Sequence, residues 1–302
     1  PRRGCTLRPP LPEGAERSSE TQRPPDWAPT KNVAAATLPI TMPRSPRQST
    51  PSPPDADYPL INIEKGGLIG TIFADFQESD ALPRIKTIDA GLKINVVPDK
   101  CHMEIEGMRK TVAEIYCAGA KEETGVSFTV TELDKHTIAI DAQGEGAHAA
   151  SPQGGNNAIT AMLHLVSTMH LPDCPQVQAL HGLHELIPHG DYLGEGLGVK
   201  MSDEISGELT LSLDIIHVTP TGLEAQFDCR SPLCANDQNM KYAAMQACAK
   251  KGLALKDVPM KQPHHVPADT PFVKTLLHSY EKFTGVRMQS PWPSAAAPTA
   301  MR

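Results

Sequence analysis

Apolar and polar side chains follow two different periods in the middle of the chain. Residues 101–106 alternate between apolar and polar positions, which predicts a strand, and residues 108–121 repeat apolar side chains at helical spacing. The apolar positions of that helix are Met108, Val112, Ile115 and Ala118. Residues 126–133 and 137–142 are typical of strands, and residues 157–170 carry a broad apolar helical face. The order strand, helix, strand, strand, helix predicts a two-layer α+β sandwich.

Further elements are predicted on both sides of this sandwich. Residues 58–76 contain short apolar runs broken by glycines, which predicts two short strands with a tight connection. Residues 209–218 and 222–229 form a predicted hairpin. Capping residues and basic last turns predict helices over residues 236–251 and 270–284.

The front of the chain differs in composition from the rest. The first 54 residues hold 13 of the 29 prolines and carry a net charge of +4, whereas the whole chain of 302 residues carries −7. Neither a helical nor an alternating period is sustained in this part. We therefore predict an irregular segment over residues 1–53.

Composition also narrows the classes of function. A net charge of −7 and 4% aromatic residues disfavour nucleic-acid binding, and no apolar run is long enough to cross a bilayer. The seven cysteines are scattered without a Cys-x-x-Cys pair, which favours reduced thiols and a cytoplasmic location. We expect no nucleic-acid or membrane partner, and a monomer, with a homodimer as the alternative.

The loop over residues 144–158, with the sequence GEGAHAASPQGGNNA, is the strongest candidate for chemistry. It places His148 among small residues directly before a predicted helix, where a ligand could approach the backbone closely. A histidine in such a loop donates a proton or a hydrogen bond near neutral pH. The alternative is a surface turn with an incidental histidine, and the loop alone leaves both interpretations open.

Six motifs, taken together and in order, resemble the PepV-type (Sapep-like) metal-dependent dipeptidases. The motifs are PDADYPLINIEKG at 54–66, NVVP at 95–98, the loop at 144–158, FDCRSP at 227–232, HHVP at 264–267 and YEKFTG at 280–285. Each motif is weak alone, but the match runs from about residue 54 to residue 285. This family belongs to the di-zinc exopeptidase superfamily, with aminoacylase, acetylornithine deacetylase and carboxypeptidase G.

The resemblance implies roles for four residues. Asp55 matches a terminal zinc ligand, and His148 matches the histidine that stabilises the oxyanion as a hydrogen-bond donor. Arg230 matches the arginine that binds the free carboxylate of the substrate, and Asn95 matches an asparagine near the same groups. Without the resemblance, the better interpretations are a solvated turn for Asp55, a strand-end arginine and a turn asparagine.

The resemblance also implies an α/β fold, in which a partial zinc-exopeptidase catalytic domain carries an inserted α+β lid domain. Residues 54–76 are expected to belong to the catalytic domain, residues 77–262 to the lid, and residues 263–287 to the return to the catalytic domain. Residues 288–302 are expected to form an irregular tail. The implied cofactor is zinc, two ions per complete site, with manganese as the alternative.

Several family features are absent from the residues as written: an early histidine and bridging aspartate, a Glu-Glu pair, a Gly-Gly-Gly-Thr loop and a final metal histidine. Reading the codons in a shifted frame permits LGTDEECGSGD from residue 26 into residue 37 and IGGGT around residues 293–299. We therefore expect both ends to be frame-shifted or truncated, and the chain to have little or no peptidase activity. The alternatives are a non-catalytic binding protein built on the lid and an N-acyl amino acid deacylase.

Overall fold

The computed structural model describes residues 60–286 and 292–293, and short strands alternate with five α-helices over these ranges. The strands are β1 (Ile61–Glu64), β2 (Gly66–Asp75), β3 (Arg84–Ala90), β4 (Val96–Val97), β5 (Lys100–Glu106), β6 (Ser127–Glu132), β7 (Thr137–Gln143), β8 (Ala147–His148), β9 (Ser202–Asp203), β10 (Gly207–Glu208), β11 (Thr210–Thr219), β12 (Gly222–Ser231), β13 (Ala254–Leu255), β14 (His264–His265) and β15 (Trp292–Pro293). The helices are α1 (Lys110–Thr124), α2 (Ala158–Thr168), α3 (Pro175–Leu186), α4 (Ala243–Lys250) and α5 (Pro271–Thr284).

An antiparallel sheet of eight strands, in the order β13-β2-β12-β11-β3-β5-β7-β6, forms the frame. Strand β5 shows how the sheet divides its two faces, because Cys101, Met103 and Ile105 are buried while His102 and Glu104 are partly exposed. The buried side chains share one core with helices α1 to α4. The predicted mixed α/β architecture with a two-layer α+β sandwich is therefore confirmed for the described ranges.

Helix ends explain why several sequence predictions were accurate. Asn157 caps α2, since its side chain accepts hydrogen bonds from the N–H groups of Ile159 and Thr160. Thr270 caps α5, which ends at Gly285 in the left-handed conformation. The helix predicted over residues 236–251 begins with a π-helical turn and continues as α4. No helix in the described ranges is long and apolar enough to span a bilayer.

Besides short strands of two residues that were not predicted, the structure differs from the sequence predictions in three larger features. Strand β3 and helix α3 were not predicted as elements. The buried face of α1 was also predicted wrongly, because Ile115 is 72% exposed while Cys117 and Ala120 are buried. Small residues fill this face because α1 lies close to both α2 and β6.

A small second sheet has the order β14-β1-β15, with β14 antiparallel and β15 parallel to β1. Strand β2 follows β1 after one residue and enters the large sheet, where it pairs with β12 along its whole length. The predicted boundary between residues 76 and 77 stays a prediction, although β2 on its N-terminal side hydrogen-bonds to β12 on its C-terminal side. The predicted irregular segment at 1–53, residues 54–59 of the predicted catalytic segment at 54–76, and most of the predicted tail at 288–302 lie outside the described residues.

Candidate functional site

A cleft of about 580 Å³ lies where the ends of β1, β2 and β12 meet the segments around residues 94 and 259. We call it the Arg230 cleft, and its polar lining consists of Glu64, Lys65, Asn95, Asp228, Arg230 and Lys261. Its volume is in the range of small-molecule sites. Two other pockets of about 10 Å³ each are too small for more than a water molecule.

Arg230 is held in the wall of this cleft by a neighbour on its own strand. Side chains two positions apart on a strand lie on one face, and Asp228 is two positions before Arg230 in β12. The Asp228 carboxylate accepts hydrogen bonds from Nη2 of Arg230 at 3.1 Å and from Nε at 3.4 Å. Nη1 has no partner among the described residues, so the guanidinium is oriented but keeps a free edge for an anion.

Asn95 also lines this cleft and has an unusual backbone conformation. Its φ of +76° is the only positive value at a non-glycine residue in the described ranges. Its N–H donates to Oδ2 of Asp214 at 2.8 Å, and its carbonyl accepts from the N–H of Ala149 at 3.0 Å. The Asn95 Oδ1 atom is buried without a hydrogen-bond partner among the described residues. An unpaired buried acceptor is costly, and a ligand donor would relieve that cost.

His148 is next to this wall but does not line the cleft. It lies on β8, which pairs with β4 so that His148 is opposite Val96, the residue after Asn95. The ring is exposed, and its Nδ1 accepts a hydrogen bond from the N–H of Ala150 at 3.0 Å. When the ring is neutral, its proton is therefore on Nε2, where it is available as a donor.

The loop that carries His148 is fixed at its base. Glu145 and Asn156 exchange two backbone hydrogen bonds of 2.9 and 2.8 Å, which closes the loop in front of α2. A Cβ atom on Gly144 would lie 2.1 Å from the carbonyl oxygen of Asn156, so only glycine fits this close approach.

Two buried charged groups beside the cleft were missed by the sequence reasoning. Asp214 on β11 is fully buried, and burial raises its pKa to about 7, although hydrogen bonds from Ser212 and Asn95 oppose the rise. Lys65 is 4% exposed and donates to the carbonyl of Glu208, and burial lowers its pKa. The sequence does contain one indication of Asp214, because it is the single acidic residue among the apolar residues of β11.

The structure thus brings Asn95 and Arg230 into one cleft and places His148 on the strand paired with the segment of Asn95. Asp55, the predicted metal ligand, lies outside the described residues. Within the described ranges, no group of three or more His, Cys, Asp or Glu side chains could hold a metal ion. The described residues therefore do not by themselves fit a zinc or manganese centre.

The chain is similar in sequence to bacterial proteins with dipeptidase names. It is 30% identical over 243 residues to the Beta-Ala-Xaa dipeptidase of Lactobacillus delbrueckii subsp. lactis, which covers 77% of this chain and 49% of that protein. It is 29% identical over 235 residues to YtjP of Bacillus subtilis (strain 168), which carries a provisional dipeptidase name, covering 76% of this chain and 49% of YtjP. These relatives confirm the sequence-based resemblance to dipeptidases.

The coverage of the relatives, one solved structure and the family models complete the comparison with known proteins. The chain spans about half the length of the curated relatives it matches. The aminoacylhistidine dipeptidase of Vibrio alginolyticus matches with a TM-score of 0.37 and 12% identity, covering 76% of this chain and 50% of that one. No model of a protein family matches the chain.

Proposed function

We propose, from the sequence similarity to PepV-type dipeptidases, that this protein takes part in the metal-dependent hydrolysis of dipeptides or short peptides. In this proposal the Arg230 cleft binds the end of the substrate that carries the free carboxylate. Arg230 provides the positive charge, and Asn95 provides polar atoms in the same cleft. His148 donates from Nε2 to the oxygen of the scissile carbonyl as negative charge develops there.

The observation that supports this proposal most is the state of the Arg230 guanidinium. Asp228 has a side chain only 8% exposed and fixes one edge of the guanidinium, while Nη1 has no hydrogen-bond partner within the described part of the chain and Arg230 lines the cleft. A planar guanidinium with a free edge binds a carboxylate through charge-assisted hydrogen bonds. Because Asp228 already orients the group, less side-chain entropy is lost when the anion binds.

The metal belongs to this proposal only through the resemblance. Zinc, with manganese as the alternative, would activate the attacking water in a complete site. Its ligands would have to include residues outside the described ranges, Asp55 among them. We therefore derive no reaction step through the metal from the described residues.

The proposed cellular location follows from the cysteines, and the proposed partner follows from the similarity to dipeptidases. The cysteines Cys101, Cys117, Cys174, Cys229, Cys234 and Cys248 are free thiols, which supports a reducing compartment such as the cytoplasm. The proposed partner is a peptide substrate, with no nucleic acid and no membrane, and the proposed state is a monomer.

Binding of alanyl-alanine to the full chain, followed by isothermal titration calorimetry, tests the role of the cleft. The Arg230→Lys substitution keeps the charge but loses the planar fork, so we expect the dissociation constant to rise about tenfold. The matched control is Arg84→Lys, because Arg84 is 28% exposed against 27% for Arg230 and is also paired with an acid, Glu106, at 2.8 Å. The control should leave the dissociation constant unchanged.

Two further ligands complete this experiment. The C-terminal amide of alanyl-alanine should bind at least about tenfold more weakly than the free acid, because it lacks the carboxylate. Equal binding of acid and amide would contradict the proposed carboxylate site. Tighter binding of N-acetylalanine than of alanyl-alanine would instead favour an N-acyl amino acid deacylase. Release of alanine from alanyl-alanine with added zinc or manganese tests the expectation of little or no activity.

A further inference from the structure

Asp214 is an acid in a place where an apolar residue would be less costly. It lies within β11 and is fully buried. Both of its carboxyl oxygens are used, since Ser212 Oγ donates to Oδ1 at 2.5 Å and the Asn95 N–H donates to Oδ2 at 2.8 Å. Burial of a carboxyl group is unfavourable unless hydrogen bonds compensate it, so a strand that retains one needs a reason.

The backbone at Asp214 is shaped for contact with the segment before Asn95. The register between β11 and β12 shifts between Leu213 and Ile215, so Asp214 occupies a β-bulge. At this bulge its carbonyl oxygen closely approaches Gly91, where a Cβ atom would lie 2.0 Å away. The bulge therefore brings both the backbone and the carboxyl group of Asp214 to the turn that carries Asn95.

The hydrogen bond from Asn95 stabilises a conformation that this residue would not favour alone. A non-glycine residue with a φ of +76° needs surrounding contacts to remain there. The carbonyl of Asn95 also accepts from the N–H of Ala149, the residue after His148. The two contacts form one chain of hydrogen bonds from Asp214 through the Asn95 backbone to the loop of His148.

We propose that Asp214 is a positioning residue that fixes Asn95 in the wall of the Arg230 cleft and, through the Ala149 N–H, fixes the strand that carries His148. This role rests on the proposed function of the cleft, because Asn95 and His148 matter for peptide substrates only if that function holds. Asp214 itself touches no substrate in this arrangement. The charged groups that act on it electrostatically are Asp228 and Arg230 on the neighbouring strand.

Nuclear magnetic resonance of the full ¹⁵N-labelled chain tests this proposal without a ligand. In Asp214→Ala, the amide protons of Asn95 and Ala149 should exchange with solvent at least roughly tenfold faster, because the hydrogen-bond chain is broken at its start. Amides in the core of the sheet, such as that of Ile140, should keep their protection. The matched control is Ser212→Ala, which removes the hydrogen bond to Oδ1 but leaves Oδ2 for Asn95.

A second variant keeps the test decisive if the alanine variant does not fold. Asp214→Asn preserves the volume of the side chain but leaves one carbonyl oxygen in place of two carboxyl oxygens. The hydrogen bond from the Asn95 N–H should weaken, so the Asn95 amide proton should exchange with solvent several-fold faster than in the unchanged chain. The proposal is overturned if the Asn95 and Ala149 amides behave in both folded variants as they do in the unchanged chain. The proposal is also overturned if Ser212→Ala speeds the exchange of the Asn95 and Ala149 amide protons as much as Asp214→Ala does.

Binding of alanyl-alanine separates this proposal from the proposed function. If the unchanged chain binds the dipeptide, Asp214→Asn should weaken that binding several-fold, and the Ser212→Ala control should not. If the unchanged chain does not bind the dipeptide, the proposed function fails, whereas the amide measurements still decide whether Asp214 positions Asn95.

Discussion

Two regions that hold fully or partly buried ionisable groups are built differently. Asp214 lies in the sheet beside the Arg230 cleft, and both of its oxygens accept hydrogen bonds. The second region, the histidine cluster, lies on and around α2 and α3. Its members are His164, His181, His184 and His189. The Nε2 of His181 and the Nδ1 of His184 are buried without a partner in the described part of the chain.

This difference indicates how a buried ionisable group that belongs to a functional site can be distinguished from one that is buried only by packing. The carboxyl group of Asp214 is connected through Asn95 to a cleft large enough for a ligand. The His184 ring contacts the His164 ring at 5.5 Å between centroids, and neither residue lines the Arg230 cleft. Burial alone is therefore a weak indicator of function, whereas burial together with a continuous hydrogen-bond path to a cleft is a stronger one.

The largest expected difference between the two regions is the dependence of stability on pH that Asp214 causes. Its pKa is raised from an ordinary value of 3.8 to about 7, chiefly by burial. Between these values the folded chain holds a proton that the unfolded chain has lost, so the free energy of unfolding falls as pH rises from 4 to 7. The loss is about 4 kcal/mol at most. Urea unfolding at pH 4, 5.5 and 8 measures it.

Asp214→Asn removes this titration, so the free energy of unfolding of the variant should rise relative to the unchanged chain as pH increases over that window. Asp134→Asn is the control, because backbone hydrogen bonds lower the pKa of Asp134 and no loss toward higher pH is expected from it. Parallel pH profiles of Asp214→Asn and the unchanged chain would show that folding does not raise the pKa of Asp214.

The next largest expected effect is a loss of stability from a substitution at Gly91, in the turn that approaches Asp214. Gly91 has a φ of +84°, and an added Cβ atom would meet the carbonyl oxygen of Asp214 at 2.0 Å. Gly91→Ala should therefore lower the free energy of unfolding by about 3 kcal/mol, measured by urea unfolding. The control, Gly119→Ala, adds a Cβ atom in open space on an exposed helical position and should raise it by up to about 1 kcal/mol. Equal effects of the two substitutions would show that Gly91 does not approach the Asp214 carbonyl closely.

The order of elements from β5 to α2 followed from side-chain periodicity, because these segments have regular apolar spacing and clear caps such as Asn157. Helix α3 was missed because its apolar positions are interrupted by two histidines and a glycine. The buried face of α1 was placed wrongly because its core positions are small, Ala113 and Cys117 among them, while the larger Ile115 faces outward. Size misled the prediction where close packing between helices selects small residues.

For the candidate site, the resemblance named Asp55, Asn95, His148 and Arg230. The structure places Asn95 and Arg230 in one cleft and His148 on the strand paired with the segment of Asn95, whereas Asp55 lies outside the described residues. Sequence motifs did not identify Asp214 and Lys65. The role of a buried charge depends on the atoms that surround it across the sheet, and no local spacing encodes those neighbours. In Asp214 the decisive partner is Asn95, 119 positions away in the sequence.

The smallest effect tests the histidine cluster. Burial lowers the pKa of His184, and the nearby His164 and His181 lower it further while Glu185 opposes the shift. The unfolded chain then binds a proton before the folded chain does, so stability falls as pH drops through 6.5, the opposite direction from Asp214. His184→Gln should reduce this loss by about 1 kcal/mol or less, measured by urea unfolding at pH 7.5 and 5.5. The exposed His278→Gln serves as the control and should leave the acid-side loss unchanged. An unaltered loss in His184→Gln would mean that the cluster takes up its proton without cost, and the contrast with Asp214 would then rest on geometry alone.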